Sequence, residues 1–182
     1  MTWHIREAVR RIAAGGIIAY PTETVYGLGC DPFNGAAVLR LLELKHRNID
    51  HGLILVASNF MQLEPLLLPL APATRKRVSA RQGAPVTWTL PCPAEVPAWL
   101  RGSHMTLAVR ITDHPVASAL CDRWNGPLVS TSANIHGHLP AACALDIYNS
   151  FNGKLDYVLH GECGSGHAST IRDGITGRVL RK

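Results

Sequence analysis

The chain is poor in aromatic residues and in charge, and it has no cysteine pair. Phe, Trp and Tyr together make up 6% of its 182 residues, which leaves few stacking platforms for single-stranded nucleic acid. Its five cysteines, at positions 30, 92, 121, 143 and 163, are odd in number and widely spaced. That excludes a zinc ribbon and a disulfide framework, and makes reduced thiols in the cytoplasm the expectation. The longest greasy stretch, Leu66 to Ala73, is interrupted by Pro69 and Pro72 and falls far short of the ~20 apolar residues of a membrane span. The opening MTWHIREAVRR carries charges where a secretion signal needs an apolar run, so no membrane role and no secretion are expected. The P-loop, H-E-x-x-H and G-x-S-x-G motifs are all missing. Gly27-Leu28-Gly29 is half of a dinucleotide fingerprint and reads as a turn. His136-Gly137-His138 lacks a third candidate ligand and reads as a solvated loop.

What is present is enough apolar residue, 47%, for a core and too little charge, 17%, for disorder. The length suits one domain, 1–182, able to bury about 70% of the unfolded surface. The net charge is +5, from 18 basic and 13 acidic residues, and most of the basic ones are Arg. An excess of planar, forked cations points to an anionic partner.

Hydrophobic spacing predicts a helix over 3–14, with Ile5, Ala8, Val9 and Ile12 on one face and Glu7 paired to Arg11, stopped by Gly15-Gly16. A buried strand follows at 17–20. A second helix is predicted over 35–46, and 53–56 reads as a strand covered on both faces. Short helices at 59–67 and 73–81 precede strands at 86–90 and 105–111. A helix at 115–124 leads to a strand at 128–130, and short strands at 156–159, 168–172 and 178–181 complete the chain. This order predicts an α/β fold: one twisted, open, mixed β-sheet with flanking helices.

Four segments combine small polar groups with isolated cations. Pro21-Thr22-Glu23-Thr24-Val25-Tyr26-Gly27-Leu28-Gly29 leaves a strand end, where α/β sheets place ligands. Lys45-His46-Arg47 follows a helix; an extended chain there would aim both cations to one side. Ser130-Thr131-Ser132-Ala133-Asn134 follows another strand and offers phosphate donors without charge. The fourth is diffuse: Thr106 and Arg110 on one strand, Ser169-Thr170, and Arg181. Arg110 lies in an apolar strand, so it must reach an anion or the sheet edge.

PTETVYGLG, LELKHR with LILV, LAVRITDHP and PLVSTSAN, in this order, resemble the YrdC/TsaC family over residues 8 to 181. The family's K-x-R and S-x-N signature stands as Lys45-x-Arg47 and Ser132-x-Asn134. The resemblance implies a YrdC-like fold around a positively charged cavity, in the short form without an appended C-terminal domain. It implies a threonylcarbamoyl-AMP synthase, a nucleotidyltransferase that joins L-threonine, bicarbonate or CO₂, and ATP into threonylcarbamoyl-adenylate and pyrophosphate. That product feeds a downstream tRNA threonylcarbamoyl transferase complex, which modifies adenosine 37 of tRNAs reading ANN codons. By the same resemblance, Thr24, Arg110, Ser130 and Ser169 contact threonine. Arg47, His51, Thr106, Ser132, Pro140 and Arg181 contact ATP. Lys45 and Arg47 hold the triphosphate, Ser132 and Asn134 orient it, and Mg²⁺ bridges phosphate oxygens with few protein ligands.

The chain departs from the family pattern at three places. Asn48 replaces the Pro that follows K-x-R and would hold Arg47 extended. Arg81-Gln82-Gly83-Ala84-Pro85 replaces W-P-G-P, and Val56 replaces a His. The alternative reading is a non-catalytic module that reads double-stranded RNA or tRNA by shape, with Arg75, Lys76, Arg77 and Arg81 on one predicted helix as its footprint.

Overall fold

Residues of opposite parity along the strands go to opposite sides of one sheet, and that alternation decides where the site lies. The computed structural model describes residues 2–80, 83–135, 138–151, 153–164 and 169–181. Among them, nine strands form one mixed sheet in the order β7-β1-β2-β6-β3-β5-β4-β8-β9. These are β1 (Ile18–Tyr20), β2 (Gly27–Gly29), β3 (Ile54–Ala57), β4 (Val86–Pro91), β5 (Thr106–Ile111), β6 (Leu128–Ser132), β7 (Tyr157–Val158), β8 (Thr170–Asp173) and β9 (Val179–Arg181). Pairs β1–β7, β3–β5 and β4–β8 are parallel, and the other five are antiparallel.

Helices α1 (Thr2–Ala13) and α5 (Pro115–Trp124) pack together over one part of the sheet. Their Ile5, Ala8, Ile12, Val116 and Leu120 meet Ile18, Tyr20, Val56 and Leu128. A larger cluster takes residues of the other parity, such as Leu55, Leu107, Val109 and Val129, with Val38, Leu41 and Leu42 of α2 (Gly35–Leu44) and Ile147 and Phe151 of α6 (Ala144–Phe151). The strand read as covered on both faces is so covered: Val56 belongs to one cluster, Leu55 and Ala57 to the other.

Glu7 pairs with Arg11 at 2.7 Å, as spacing predicts, and also with Arg10 at 2.8 Å. Gly15, at φ 81°, lets α1 end in a Schellman turn: Gly15 N–H bonds Ile12 O and Gly16 N–H bonds Arg11 O. Pro65 splits the helix expected over 59–67 into two 3-10 turns, Phe60–Gln62 and Glu64–Leu66. Helix α3 is Pro72–Ser79 and α4 is Ala98–Arg101.

Two elements correct the sequence reading. Gly27-Leu28-Gly29 is not a turn but the strand between β1 and β6. Its glycines reflect a close approach: a Cβ on Gly29 would lie 2.3 Å from Val129 O and 2.8 Å from the Tyr20 ring. Gly29→Ala is therefore expected to cost about 2–3 kcal/mol of stability, the range of an overpacked core; an unchanged denaturant midpoint would contradict the packing. Helix α6 replaces an expected run without helix. Asp146, at its third position, accepts from Ala142 N–H (2.9 Å) and Cys143 N–H (3.1 Å), the carboxylate half of a capping box.

The five cysteines are free thiols. Among the described residues no helix is long and apolar enough to cross a membrane.

Candidate active site

Where the α1 and α5 cover ends, the same sheet face turns polar. On β6, Leu128 lies under that cover, while Ser130 and Ser132, two and four residues on, face a cavity. On β5, Thr106, Ala108 and Arg110 face it while Leu107 and Val109 lie in the core. The cavity holds about 940 Å³, toward the upper end of the range for small-molecule sites. One wall is the segment after β1, with Thr22, Thr24 and Tyr26; another is His46 to Asn48 with His51 and Gly52; a third is Arg101, the last residue of α4, and His104 just beyond it. Arg47, Arg101, Arg110 and Arg181 line it against one carboxylate, Asp173.

The floor is organised by Arg110, only 7% exposed. Its Nη2 donates to Ser169 Oγ (2.9 Å) and its Nε to Thr87 Oγ1 (3.4 Å), and those two hydroxyls lie 2.8 Å apart. Glu23 Oε2 is the nearby counter-charge, 3.7 Å from Nη1. Burial pushes the guanidinium pKa down, with Glu23 and Tyr20 opposing. Beside it, Thr22 Oγ1 donates to Val25 O (2.7 Å) and lies 3.0 Å from Thr24 Oγ1. A hydroxyl has one proton, so the Thr24 hydroxyl donates to Thr22 and keeps its lone pairs for a ligand.

The signature cations do not sit in an extended segment. Helix α2 ends in a second Schellman turn: His46 N–H bonds Glu43 O and Arg47 N–H bonds Leu42 O, both at 2.9 Å, with His46 at φ 50°. The turn sends Arg47 into the cavity and Lys45 behind its wall. Lys45 Nζ donates to Ser132 O (2.5 Å), Asn134 O (2.7 Å) and Asn134 Oδ1 (3.2 Å), three acceptors for three ammonium protons. Burial, with Arg47 beside it, pushes its pKa down to about 8. Ser132 Oγ donates to Asn134 Oδ1 (2.7 Å), and Asn134 Nδ2 donates to Ile135 O and His138 O. In this arrangement its protons tie the S-x-N loop to α2, so Lys45 supports the cavity wall from behind.

Arg47 donates through Nη2 to Gly52 O (2.9 Å), while its Nε is buried without a partner. Burial and the neighbouring Arg181 push its pKa down; two converging cations with an unmatched donor form a site for an anion. At the position of the missing Pro, Asn48 has a φ of −67°, and its Oδ1 accepts from Asp50 N–H at 2.9 Å, capping the 3-10 turn Ile49–His51. Val56 is a core residue of the α1 and α5 cluster. The His136-Gly137-His138 motif lies partly, and Arg81-Gln82 wholly, outside the described residues.

Of the sequence-derived site residues, Thr24, Arg47, His51, Thr106 and Arg110 line this cavity, as do Ser130, Ser132, Pro140, Ser169 and Arg181. Lys45 and Asn134 lie behind it. Arg101 and His104 were missed. The run Pro97 to Gly102 holds their signal, a Pro before and a Gly after a short helix. Gly102 is at φ 65°, and a Cβ there would lie 2.2 Å from Asp50 O, so the Arg101 wall packs directly on the His51 wall.

Among the described residues, no cluster of three or more His, Cys, Asp or Glu can hold a metal ion. Asp173 Oδ1 accepts from Ile175 N–H, Thr176 N–H and the Thr176 hydroxyl. Glu23 Oε1 is similarly engaged, by Thr112 and the Asp113 and His114 amides. This donor set does not fit a Mg²⁺ held by the protein.

Residues 10–182 match the family model Sua5/YciO/YrdC, described as "Telomere recombination". The chain belongs to the Sua5/YciO/YrdC family. A threonylcarbamoyl-AMP synthase of Nitrosococcus oceani is 52% identical over 180 residues, covering 98% of this chain and 97% of that protein. One of Coxiella burnetii is 48% identical over 181 residues, covering 99% and 97%. The crystal structure of P. abyssi Sua5 complexed with L-threonine superposes with a TM-score of 0.88 at 34% identity. That likeness covers 95% of this chain and 51% of the Sua5 chain, about half its length. E. coli YciO, at 22% identity and TM-score 0.82, shares the fold.

Proposed function

We propose that this chain is a threonylcarbamoyl-AMP synthase, acting in the cytoplasm, where its free thiols stay reduced. The observation that carries the reading is one cavity with two differently built cation sites: Arg110 among hydroxyls, and Arg47 facing Arg181. Both suit anions, and they suit different ones. Arg110 with Ser169 offers the parallel donors that a carboxylate takes, and Thr24 offers lone pairs that an amine or hydroxyl takes. That set fits L-threonine. Arg47 and Arg181, both on the cavity wall, fit the polyphosphate of ATP. Ser132 Oγ, His51, Thr106 and Pro140 complete the nucleotide wall. The excess of arginine over carboxylate makes the cavity positive, as an adenylate-forming reaction needs.

Chemistry then requires little beyond position and charge. The threonine amine bonds to the carbon of CO₂ and loses a proton, giving a carbamate. A carbamate oxygen bonds to the α-phosphorus of ATP, the bond to the β-phosphate oxygen breaks, and pyrophosphate departs. Charge grows on phosphate oxygens, where preorganised donors stabilise it. Lys45 and Asn134 act through the loop they hold: they fix where Ser132 points. A carbamate is labile in water, and a recessed site protects it. Any Mg²⁺ arrives on the phosphates of ATP rather than on a protein cage. The adenylate product supplies a tRNA threonylcarbamoyl transferase, a partner inferred from the reaction.

Two of the four cations in the footprint of the RNA-binding alternative are engaged elsewhere, while Arg81 lies outside the described residues. Arg75 pairs with Glu64 (2.7 Å) and lies over the Phe60 ring, and Arg77 donates to Gly174 O and Ile175 O. The test is pyrophosphate release from ATP by purified protein without RNA. Release that requires both threonine and bicarbonate is expected; release that ignores threonine would overturn the reading.

A further inference from the structure

Glu23, the carboxylate inside PTET, has no part in the chemistry above, yet it is the centre of a partly buried network. Its Oε1 accepts three bonds, from Thr112 Oγ1 (2.5 Å), Asp113 N–H (2.8 Å) and His114 N–H (3.1 Å). Those donors form the corner between β5 and α5, about ninety residues along the chain. Its Oε2 is buried, accepts no hydrogen bond, and faces Arg110 Nη1 at 3.7 Å. Gly164 covers the backbone: its N–H bonds Thr22 O at 3.1 Å, and a Cβ there would lie 1.9 Å from Glu23 O.

A buried carboxylate oxygen without a donor is costly, and its persistence calls for a compensating role. A packing role would be met by Oε1 alone, since the corner needs only an acceptor. What Oε2 adds is a negative charge fixed beside the one guanidinium of the cavity floor. Burial works to raise the Glu23 pKa, but Thr112, the backbone amides and Arg110 outweigh it and hold it below the usual carboxylate value. Arg110 is therefore held from three sides, by Glu23, Ser169 and Thr87.

We propose that Glu23 is a positioning residue for Arg110: its Oε2 holds the guanidinium on the cavity floor in the orientation that grips the carboxylate of the amino-acid substrate, so Glu23 sets affinity for threonine and not for ATP. This rests on the threonine site proposed above.

The test is calorimetric titration of wild type, Glu23→Gln and Glu23→Asp with L-threonine and, separately, with a non-hydrolysable ATP analogue. Glutamine keeps an acceptor for the corner but removes the charge; aspartate keeps the charge on a shorter arm. Glu23→Gln is expected to bind threonine about tenfold or more weakly, in line with breaking one close charge pair, with nucleotide affinity within about twofold. Glu23→Asp is expected to recover part of the loss. If Glu23→Gln does not fold, threonine binding by Glu23→Asp weakened more than nucleotide binding supports the role. Wild-type threonine affinity in the glutamine variant would overturn the inference alone, as would parallel losses for both ligands in either variant. Wild type that binds no threonine would overturn both the inference and the functional reading.

Discussion

Arg110→Ala is expected to lower kcat/KM for threonine by about two orders of magnitude, roughly 3 kcal/mol, the scale of losing one partner of a buried charged contact. The loss falls on threonine because of where Arg110 sits. Its donors are arranged with Ser169 and Thr87, across the strand pair β4–β5 and next to β8, away from the turn that carries Arg47. The KM for threonine therefore rises far more than that for ATP. Arg110→Lys recovers little, since an ammonium cannot make the paired contacts of a guanidinium. The variant also leaves the buried Glu23 Oε2 without its counter-charge, so its melting temperature falls as well. Steady-state kinetics with each substrate varied in turn measures the split, and equal effects on both substrates would contradict the assigned role.

Arg47→Ala is expected to cost about 2–4 kcal/mol of transition-state stabilisation, the loss of one electrostatic donor at a site of developing charge, and Lys45→Ala is expected to lower kcat as well, through the loop it holds. They differ in how the loss arises. Arg47 lines the cavity beside Arg181; removing it weakens ATP binding, and the relief of a like-charge contact offsets the lost hydrogen bond to Gly52 O, so stability changes little. Lys45 holds Ser132 O, Asn134 O and Asn134 Oδ1; removing it takes a donor from all three and unties the loop from α2, and stability falls together with kcat. A pH profile separates the two further. The Lys45 pKa is lowered, to about 8, so its ammonium loses a proton on the alkaline side of that value. The neutral amine has two protons for three oxygens, and the loop loosens. Activity is expected to decline as pH rises through about 8 in wild type, and the Lys45→Ala variant, slower throughout, lacks that limb. Pyrophosphate release at the wild-type rate by both folded variants would contradict the assignment of the signature.

The parts of this fold legible in the sequence are those whose signal is local. The α1 stripe of Ile5, Ala8 and Ile12, the paired glycines that end it, and the apolar run of β3 carry their reasons within a few residues. Strand β2 does not. Two of its three residues have no side chain, so it has no period to read; what fixes it is Val129 O pressing against Gly29 from β6, a hundred residues away. The Lys45-His46-Arg47 geometry was also out of reach. A left-handed residue at a helix end is ordinarily Gly or Asn, and here it is His46. The roles expected of the motif residues rest on the family resemblance, and their division into cavity wall and support was not legible. Lys45 and Asn134 are separated by 89 residues, and Glu23 and Asp113 by 90. Only the folded sheet shows that each pair is in contact.

The most direct test uses isotopically labelled bicarbonate with L-threonine and ATP, no RNA, and mass analysis of the products. Label in a threonylcarbamoyl-adenylate, formed one-for-one with pyrophosphate, is the expected result. ATP cleaved to AMP and pyrophosphate with the label left in bicarbonate would contradict it.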